Sequence, residues 1–225
     1  TLAALAHMRP AGAGTIVQIG SALSYRAIPL QSAYCGAKFA VRGFTDALRS
    51  ELIREGSAIR LTMVQLPAVN TPQFDWSRSR LPRRPQPVPP IFQPEPIAEA
   101  IFRAAERAPR ELWVGLPAVR AILGGKLVPG LLDQWLAELA YEGQMSPEPT
   151  PEHARDNLFE PVPEDRGVHG RFDDRAKPDV WSFDPALLRG GMAAAGLGVL
   201  LGAVLLGARL ESGRHRPPSR WRRRA

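Results

Sequence analysis

The chain has 225 residues, of which 44% are apolar and 23% are charged, a composition typical of a globular protein of ordinary domain size. Its net charge is +7, but seven arginines and one glutamate between Arg209 and Ala225 account for +6 of it, so the nearly neutral body argues against nucleic-acid binding. Cys35 is the only cysteine, which excludes an internal disulfide and a thiolate metal cluster, and the four scattered histidines predict no metal site.

The first half of the chain alternates between two hydrophobic periods. Short β-branched runs predict buried strands, and apolar residues spaced by three and four predict helices. The predicted elements are the end of a helix at 2–9, a strand at 15–20, a helix at 33–55, a strand at 59–66, a helix at 94–108 and a strand at 111–115. Such alternation predicts crossover connections and an α/β fold with a parallel sheet, whose ligands lie beyond the carboxyl ends of the strands.

Longer segments separate or follow these elements. The proline- and arginine-rich stretch from 70 to 96 is interpreted as a substrate-side lid near a membrane surface, with a basic patch for phosphate and a plain solvated loop as the alternatives. Residues 117–142 predict a helical extension of one or two amphipathic helices. Residues 143–186 are rich in proline and charge, which predicts an extended or poorly ordered linker in which Trp181 and Phe183 can dock locally.

The last part of the chain contains an uncharged apolar segment. Nineteen residues without a charge, from Gly190 to Ala208, are flanked by Arg189 and Arg209. A helix of this length roughly matches a hydrocarbon core of about 30 Å, so residues 187–209 are predicted to form a transmembrane helix, followed by a basic tail at 210–225. A buried helix, a helix lying on a membrane surface and a helix paired with a partner remain alternatives.

Three side chains form a candidate catalytic group. Tyr34 and Lys38 are four residues apart on a predicted helix and therefore share one face. A free phenol has a pKa of about 10, and a neighbouring ammonium is expected to lower the pKa of Tyr34 towards neutrality. Ser21, at the end of the preceding strand, offers a hydroxyl for a substrate oxygen. The alternative is a surface Tyr–Lys pair with Ser21 as a turn residue.

In these motifs the sequence resembles the short-chain dehydrogenase/reductase family over residues 1–116. The matching segments are TIVQIGS at 15–21, Pro29, SAYCGAKFAVRGF at 32–44 and LPAVNTP at 66–72, where Ala68 stands in place of the glycine usual in the family. The resemblance implies the C-terminal half of a doubly wound, Rossmann-like domain. It also implies that a glycine-rich phosphate turn and an asparagine would precede Thr1, so that this chain by itself is expected to be inactive.

The family resemblance also assigns roles. Tyr34 would be the general acid/base, Lys38 would lower its pKa and bind the nicotinamide ribose, and Ser21 would orient the substrate oxygen. The cofactor would be contacted by Tyr34, Lys38, Pro67, Val69 and Thr71. The implied protein is an NAD- or NADP-dependent oxidoreductase that interconverts an alcohol and a carbonyl by hydride transfer, because the cofactor supplies the difficult chemistry.

Some expectations concern the setting of this activity. The substrate would be a small molecule, and the predicted lid and apolar tail suggest an apolar one. A homo-oligomer is compatible with the sequence. We expect membrane association through 187–209 with the catalytic domain in the cytoplasm. Arginine-rich flanks normally stay in the cytoplasm, so a single span would place the catalytic domain on the opposite side of the membrane. A helical hairpin, a second span or an interfacial helix would allow the tail and the catalytic domain both to be cytoplasmic. The alternative function is a catalytically inactive, membrane-anchored interaction module of the same fold.

Overall fold

The computed structural model describes residues 1–151, 156–187 and 190. A first compact unit comprises Thr1–Pro185, and a second comprises Ala186–Ala225. In chain order the elements are α1 (Leu2–Ala11), β1 (Gly14–Ser21), a 3-10 helix (Ala22–Ser24), α2 (Ser32–Arg54), β2 (Ile59–Leu66), β3 (Ala68–Val69), α3 (Gln73–Trp76), β4 (Arg83–Pro85), β5 (Ile91–Phe92), α4 (Pro94–Arg107), β6 (Glu111–Val114), α5 (Leu116–Leu127), α6 (Pro129–Gly143), β7 (Met145–Pro149) and β8 (Ser182–Phe183).

The main sheet has the strand order β1-β2-β6-β8. Its first three strands are parallel, and β8 adds an antiparallel edge. The register pairs Gly14 with Ile59 at one end of β1 and Ser21 with Leu66 at the other. The predicted α/β fold with a parallel sheet is confirmed, because the strands are joined by the helices that the sequence pattern indicated.

Hydrophobic cores cover both faces of this sheet. Successive side chains of a strand point to opposite faces, so odd- and even-numbered residues of β2 enter different cores. The first core, between the sheet and α1 and α2, contains Leu5, Ile16, Leu48, Leu52, Ile59 and Leu61. The second core, beneath α4, contains Val64, Phe92, Ile97, Ala100, Ala104 and Val114. Helices on both faces are the arrangement expected of a doubly wound domain.

Helix α2 ends where the sequence predicted. Gly56 has φ of 64°, a left-handed conformation that a residue without Cβ adopts without steric cost. The backbone N–H of Ser57 then donates to the Leu52 carbonyl at 3.0 Å, which closes the helix terminus. The predicted helical extension consists of two helices, because Pro129 lacks an N–H and begins α6 directly after α5 has ended.

The segment predicted as a linker at 143–186 is largely built into the fold. Strand β7 pairs antiparallel with β4, and β8 pairs with β6. Residues 167–185, which we call the strap, also place Phe172 in the interior with 2% of its surface exposed. The interpretation of this segment as a linker was therefore wrong for the strap, since backbone pairing and one buried aromatic ring hold it despite its polar composition.

Most of the predicted membrane segment lies in the part of the chain that the structure does not describe. Apart from Leu187 and Gly190, residues 187–209 and the tail at 210–225 lie outside the described residues. Within the part that the structure describes, none of the helices combines the length and the apolar character that crossing a membrane requires. The transmembrane helix consequently stays a prediction.

Candidate active site

Ser21 occupies the carboxyl end of β1, where the strand passes into the 3-10 helix. Its Oγ accepts a hydrogen bond from the Leu23 backbone N–H at 3.1 Å, and the Ser21 N–H donates to Ser24 Oγ at 3.1 Å. This reciprocal cap orients Ser21, of which only 8% is exposed. Because Oγ already accepts a hydrogen bond, its own proton is left for another acceptor.

Tyr34 and Lys38 lie in the first two turns of α2. Lys38 Nζ donates to the Ile19 carbonyl of β1 at 3.0 Å and lies 5.6 Å from the centre of the Tyr34 ring. Tyr34 also interacts with the side chain of Ser21. The structure thus brings the three sequence-predicted residues together at one edge of the sheet, with Tyr34 44% exposed and therefore accessible.

The electrostatics of Tyr34 differ from the expectation. Burial raises the pKa of its phenol above 10.0, the hydrogen bond from Ser21 opposes this, and Cys35 adds a further rise. Burial likewise lowers the pKa of Lys38, whose ammonium is directed at a backbone carbonyl. The expected lowering of the Tyr34 pKa by Lys38 is wrong for this arrangement. At neutral pH Tyr34 keeps its proton and is suited to donate it.

The second sequence-predicted segment follows β2 at the same edge. Leu66 is paired with Ser21, so Pro67 leaves the sheet beside the end of β1. Ala68 and Val69 then pair with β5, and the Asn70 N–H donates to the Phe92 carbonyl at 2.8 Å. Pro67, Val69 and Thr71 are all half-buried. This loop, residues 67–71, is therefore fixed to a neighbouring strand rather than free.

Two features of the site had no counterpart in the sequence interpretation. Asn70, between two predicted cofactor residues, is completely buried and bonded to the strap. Gln65, next to the end of β2, is also completely buried and donates to Glu111 at 2.6 Å. Both depend on partners far away in the chain, and their only local signal is a polar residue within an otherwise apolar or family-typical run.

The arginine-rich loop at 70–96 is tied down by ion pairs. Its pairs with distant carboxylates are Arg78–Asp156 at 2.8 Å, Arg83–Glu142, and Arg84–Glu148 at 2.9 Å. Exposed pairs of this kind each contribute at most about 1 kcal/mol. Together with the β4–β7 pairing they nevertheless hold the loop in place, so these arginines serve attachment within the chain and are not a free basic patch.

Comparisons with known proteins bear on these residues. Residues 1–81 match the family model described as short chain dehydrogenase. The chain is 31% identical over 162 residues to "Uncharacterized oxidoreductase YxnA" of Bacillus subtilis (strain 168), a match that covers 71% of this chain and 46% of YxnA. These matches support the resemblance of this chain to the short-chain dehydrogenase family.

The similarity has a defined extent. A match of 162 residues must run past residue 116, so the relationship to YxnA extends into the helical extension. "Putative oxidoreductase SadH" of Mycobacterium tuberculosis (strain ATCC 25618 / H37Rv) is 45% identical over 71 residues, which are 32% of this chain and 26% of SadH. The chain spans about half the length of YxnA and a smaller share of SadH.

One solved structure is also similar. The crystal structure of a short-chain dehydrogenase from Streptomyces avermitilis matches with a TM-score of 0.41 and 24% identity, over 58% of this chain and 53% of that one.

Proposed function

We propose that this protein is an NAD- or NADP-dependent oxidoreductase that interconverts an alcohol and a carbonyl, with Tyr34 as the general acid/base. The observation that carries the proposal is the meeting of Ser21, Tyr34 and Lys38 at the carboxyl edge of a parallel sheet. Ligands of open α/β sheets bind at this edge. The oxidoreductase names of the relatives point to the same class of reaction.

The proton chemistry follows from the state of the three side chains. The Ser21 hydroxyl, which donates towards the Tyr34 oxygen, lies where it can polarise the oxygen of a substrate carbonyl held beside that phenol. Because the pKa of Tyr34 is raised, its phenol is protonated at neutral pH and donates that proton to the oxygen as negative charge develops there. The reverse reaction requires the phenolate and is therefore favoured by alkaline pH.

The residues fit a nicotinamide dinucleotide. The Lys38 ammonium has three donors and spends one on the Ile19 carbonyl, which leaves two for the hydroxyls of a ribose. The exposed residue Tyr34 and the half-buried Pro67, Val69 and Thr71 are the other residues proposed to contact the cofactor. The dinucleotide supplies the hydride transfer that these side chains cannot perform. Nothing in these residues separates NAD from NADP.

The decisive experiment is a comparison of two tyrosine variants in the whole protein. Tyr34→Phe removes the proton donor, whereas Tyr141→Phe removes a phenol of similar exposure on α6. Turnover of small aldehydes and ketones with NADH and NADPH is followed by cofactor absorbance, and cofactor affinity by calorimetry. We expect Tyr34→Phe to lower kcat by about 100- to 10,000-fold with little change in affinity. Unchanged turnover, or an equal loss in Tyr141→Phe, would contradict the proposal.

Membrane association through residues 187–209, with the catalytic domain in the cytoplasm, is part of the same proposal. Its support is the uncharged run from Gly190 to Ala208 between two arginines. Cell fractionation of the whole protein and of a form ended after Pro185 tests it. We expect the longer form in the membrane fraction and the shorter form in the soluble fraction, and equal partitioning of the two would refute it.

A further inference from the structure

The side chain of Asn70 connects the 67–71 loop to the strap. Its Oδ1 accepts the Phe172 backbone N–H at 3.1 Å, and its Nδ2 donates to Gln93 Oε1 at 3.0 Å and to Asp173 Oδ1 at 2.8 Å. The residue has no exposed surface. A fully buried amide with all of these bonds is costly to disturb, because each lost partner leaves a buried polar group unsatisfied.

The strap also touches the backbone of this loop directly. The Gly170 N–H donates to the Asn70 carbonyl at 3.3 Å. A Cβ at Gly170 would lie 2.5 Å from the Thr71 carbonyl oxygen and 2.8 Å from Asn70 Oδ1. Only glycine allows an approach this close, since the Thr71 carbonyl is backbone and has little freedom to give way. The loop and the strap are thus fitted to each other at the residue that follows Asn70.

The strap is anchored independently of this contact. The buried ring of Phe172 packs edge-on against Phe74 at 6.0 Å between centroids. The Lys177 N–H donates to the Ile91 carbonyl at 2.9 Å, and β8 extends the main sheet. The strap is therefore held at the contact itself by the Phe172 ring and beyond it by Lys177 and β8, and the 67–71 loop rests against this attached segment.

We propose that the strap is a structural part of the cofactor site, with Asn70 as the positioning residue that holds Val69 and Thr71 in place. The inference rests on the proposed function for the identity of the group that these two residues contact. Both neighbours of Asn70 in the chain belong to the predicted cofactor set, so a shift of Asn70 displaces both. The consequence is that residues more than 100 positions away in the chain control cofactor binding.

The matched test is Gly170→Ala against Gly130→Ala in the whole protein. Gly130 lies in α6, and its added Cβ would meet nothing within 4 Å, so the chemical change is the same without the steric conflict. Two readouts are taken: hydrogen exchange at the amides of Asn70 and Thr71, and the KM for the cofactor together with kcat. We expect Gly170→Ala to speed exchange and to raise the cofactor KM, each by about tenfold, with kcat changed much less, and Gly130→Ala to change neither.

A second variant keeps the test decisive if Gly170→Ala does not fold, as judged by circular dichroism. Asn70→Asp conserves volume and the acceptor for Phe172, but it loses both donated bonds and sets a carboxylate beside Asp173. We expect the same loss of protection at these amides and the same rise in cofactor KM. Relative to the unmodified protein at the same pH, protection of the Thr71 amide should recover at acidic pH as one of the two carboxylates takes up a proton.

The two readouts separate the possible failures. Unchanged exchange at Asn70 and Thr71 in a folded variant overturns the role of the strap. Faster exchange with an unchanged cofactor KM overturns the link to the cofactor site. If the unmodified protein shows no turnover with either dinucleotide, the proposed function fails, and the exchange measurement still decides whether the strap positions the loop.

Discussion

Replacement of Gly20 by alanine probes the packing directly beneath the candidate active site. Gly20 immediately precedes Ser21 and is paired with Gln65 across the sheet. An added Cβ would lie 2.3 Å from Gln65 Oε1 and 2.8 Å from Met63 Cε. Gln65 has no exposed surface and is held by its bond to Glu111, so its amide cannot simply swing away.

The magnitude follows from the two ways of relieving this clash. Overpacking of a close-packed interior costs about 1–3 kcal/mol. If Gln65 moves instead, its hydrogen bond to the Glu111 carboxylate is lost, which costs about 1.5–3 kcal/mol. Because the protein takes the less costly of the two, we expect Gly20→Ala to lower the free energy of unfolding by about 1–3 kcal/mol.

Urea unfolding of four proteins measures this effect: the unmodified protein, Gly20→Ala, Gln65→Ala and the double variant. Without the Gln65 amide the severest contact of the added Cβ is removed and the next is with the mobile end of Met63, so the cost of Gly20→Ala should fall to about 1 kcal/mol or less. Gly43→Ala on α2, where an added Cβ meets nothing within 4 Å, is the control and should stabilise by up to about 1 kcal/mol. An equal cost of Gly20→Ala with and without Gln65 would refute the reasoning.

Two further predictions concern pH. Hydrogen bonds to Asp173 and Glu95 raise the pKa of His169 above 6.5, while the pKa values of Asp173 and Glu95 are lowered from 3.8 and 4.5. The stabilisation that His169 gives to the folded strap is therefore complete below pH 6.5 and is lost as pH rises through its raised pKa. The stabilisation from the two carboxylates is lost as pH falls through their lowered pKa values. Protection of the strap amides from hydrogen exchange, measured against the intrinsic exchange rate at each pH, should be greatest between pH 4.5 and 6.5, and His169→Gln should abolish its loss on the alkaline side. The pKa of Tyr25 is raised by burial and then by the Glu111 carboxylate to which its hydroxyl donates. The stability that the protonated phenol contributes is therefore complete below pH 10.0 and is lost above it. Urea unfolding as a function of pH should show this loss, and a loss of equal size in Tyr25→Phe would contradict it.

The sequence alone determined the fold class and the three candidate catalytic residues. Ser21 ends a short β-branched run, and Tyr34 and Lys38 are one helical turn apart, so local geometry already constrains where each side chain points. A parallel sheet then brings the strand end and the helix start to one edge. These predictions depend on contacts between residues close in sequence or on a repeated pattern, and for that reason they are readable without a structure.

Only the tertiary structure decided what surrounds those residues. The strap has the composition of a linker, yet backbone hydrogen bonds, the buried ring of Phe172 and side-chain bonds such as Asn70–Asp173 attach it to the fold. Contacts of these kinds do not produce a hydrophobic period in the sequence. The contacts of Asn70 and Gln65 join residues far apart in sequence, so nothing local announces them. The pKa of Tyr34 depends on how much of its ring is covered and on where the Lys38 ammonium is directed, and both follow from packing. Burial and long-range pairing are properties of the folded chain as a whole, whereas motif spacing is a property of its neighbouring residues.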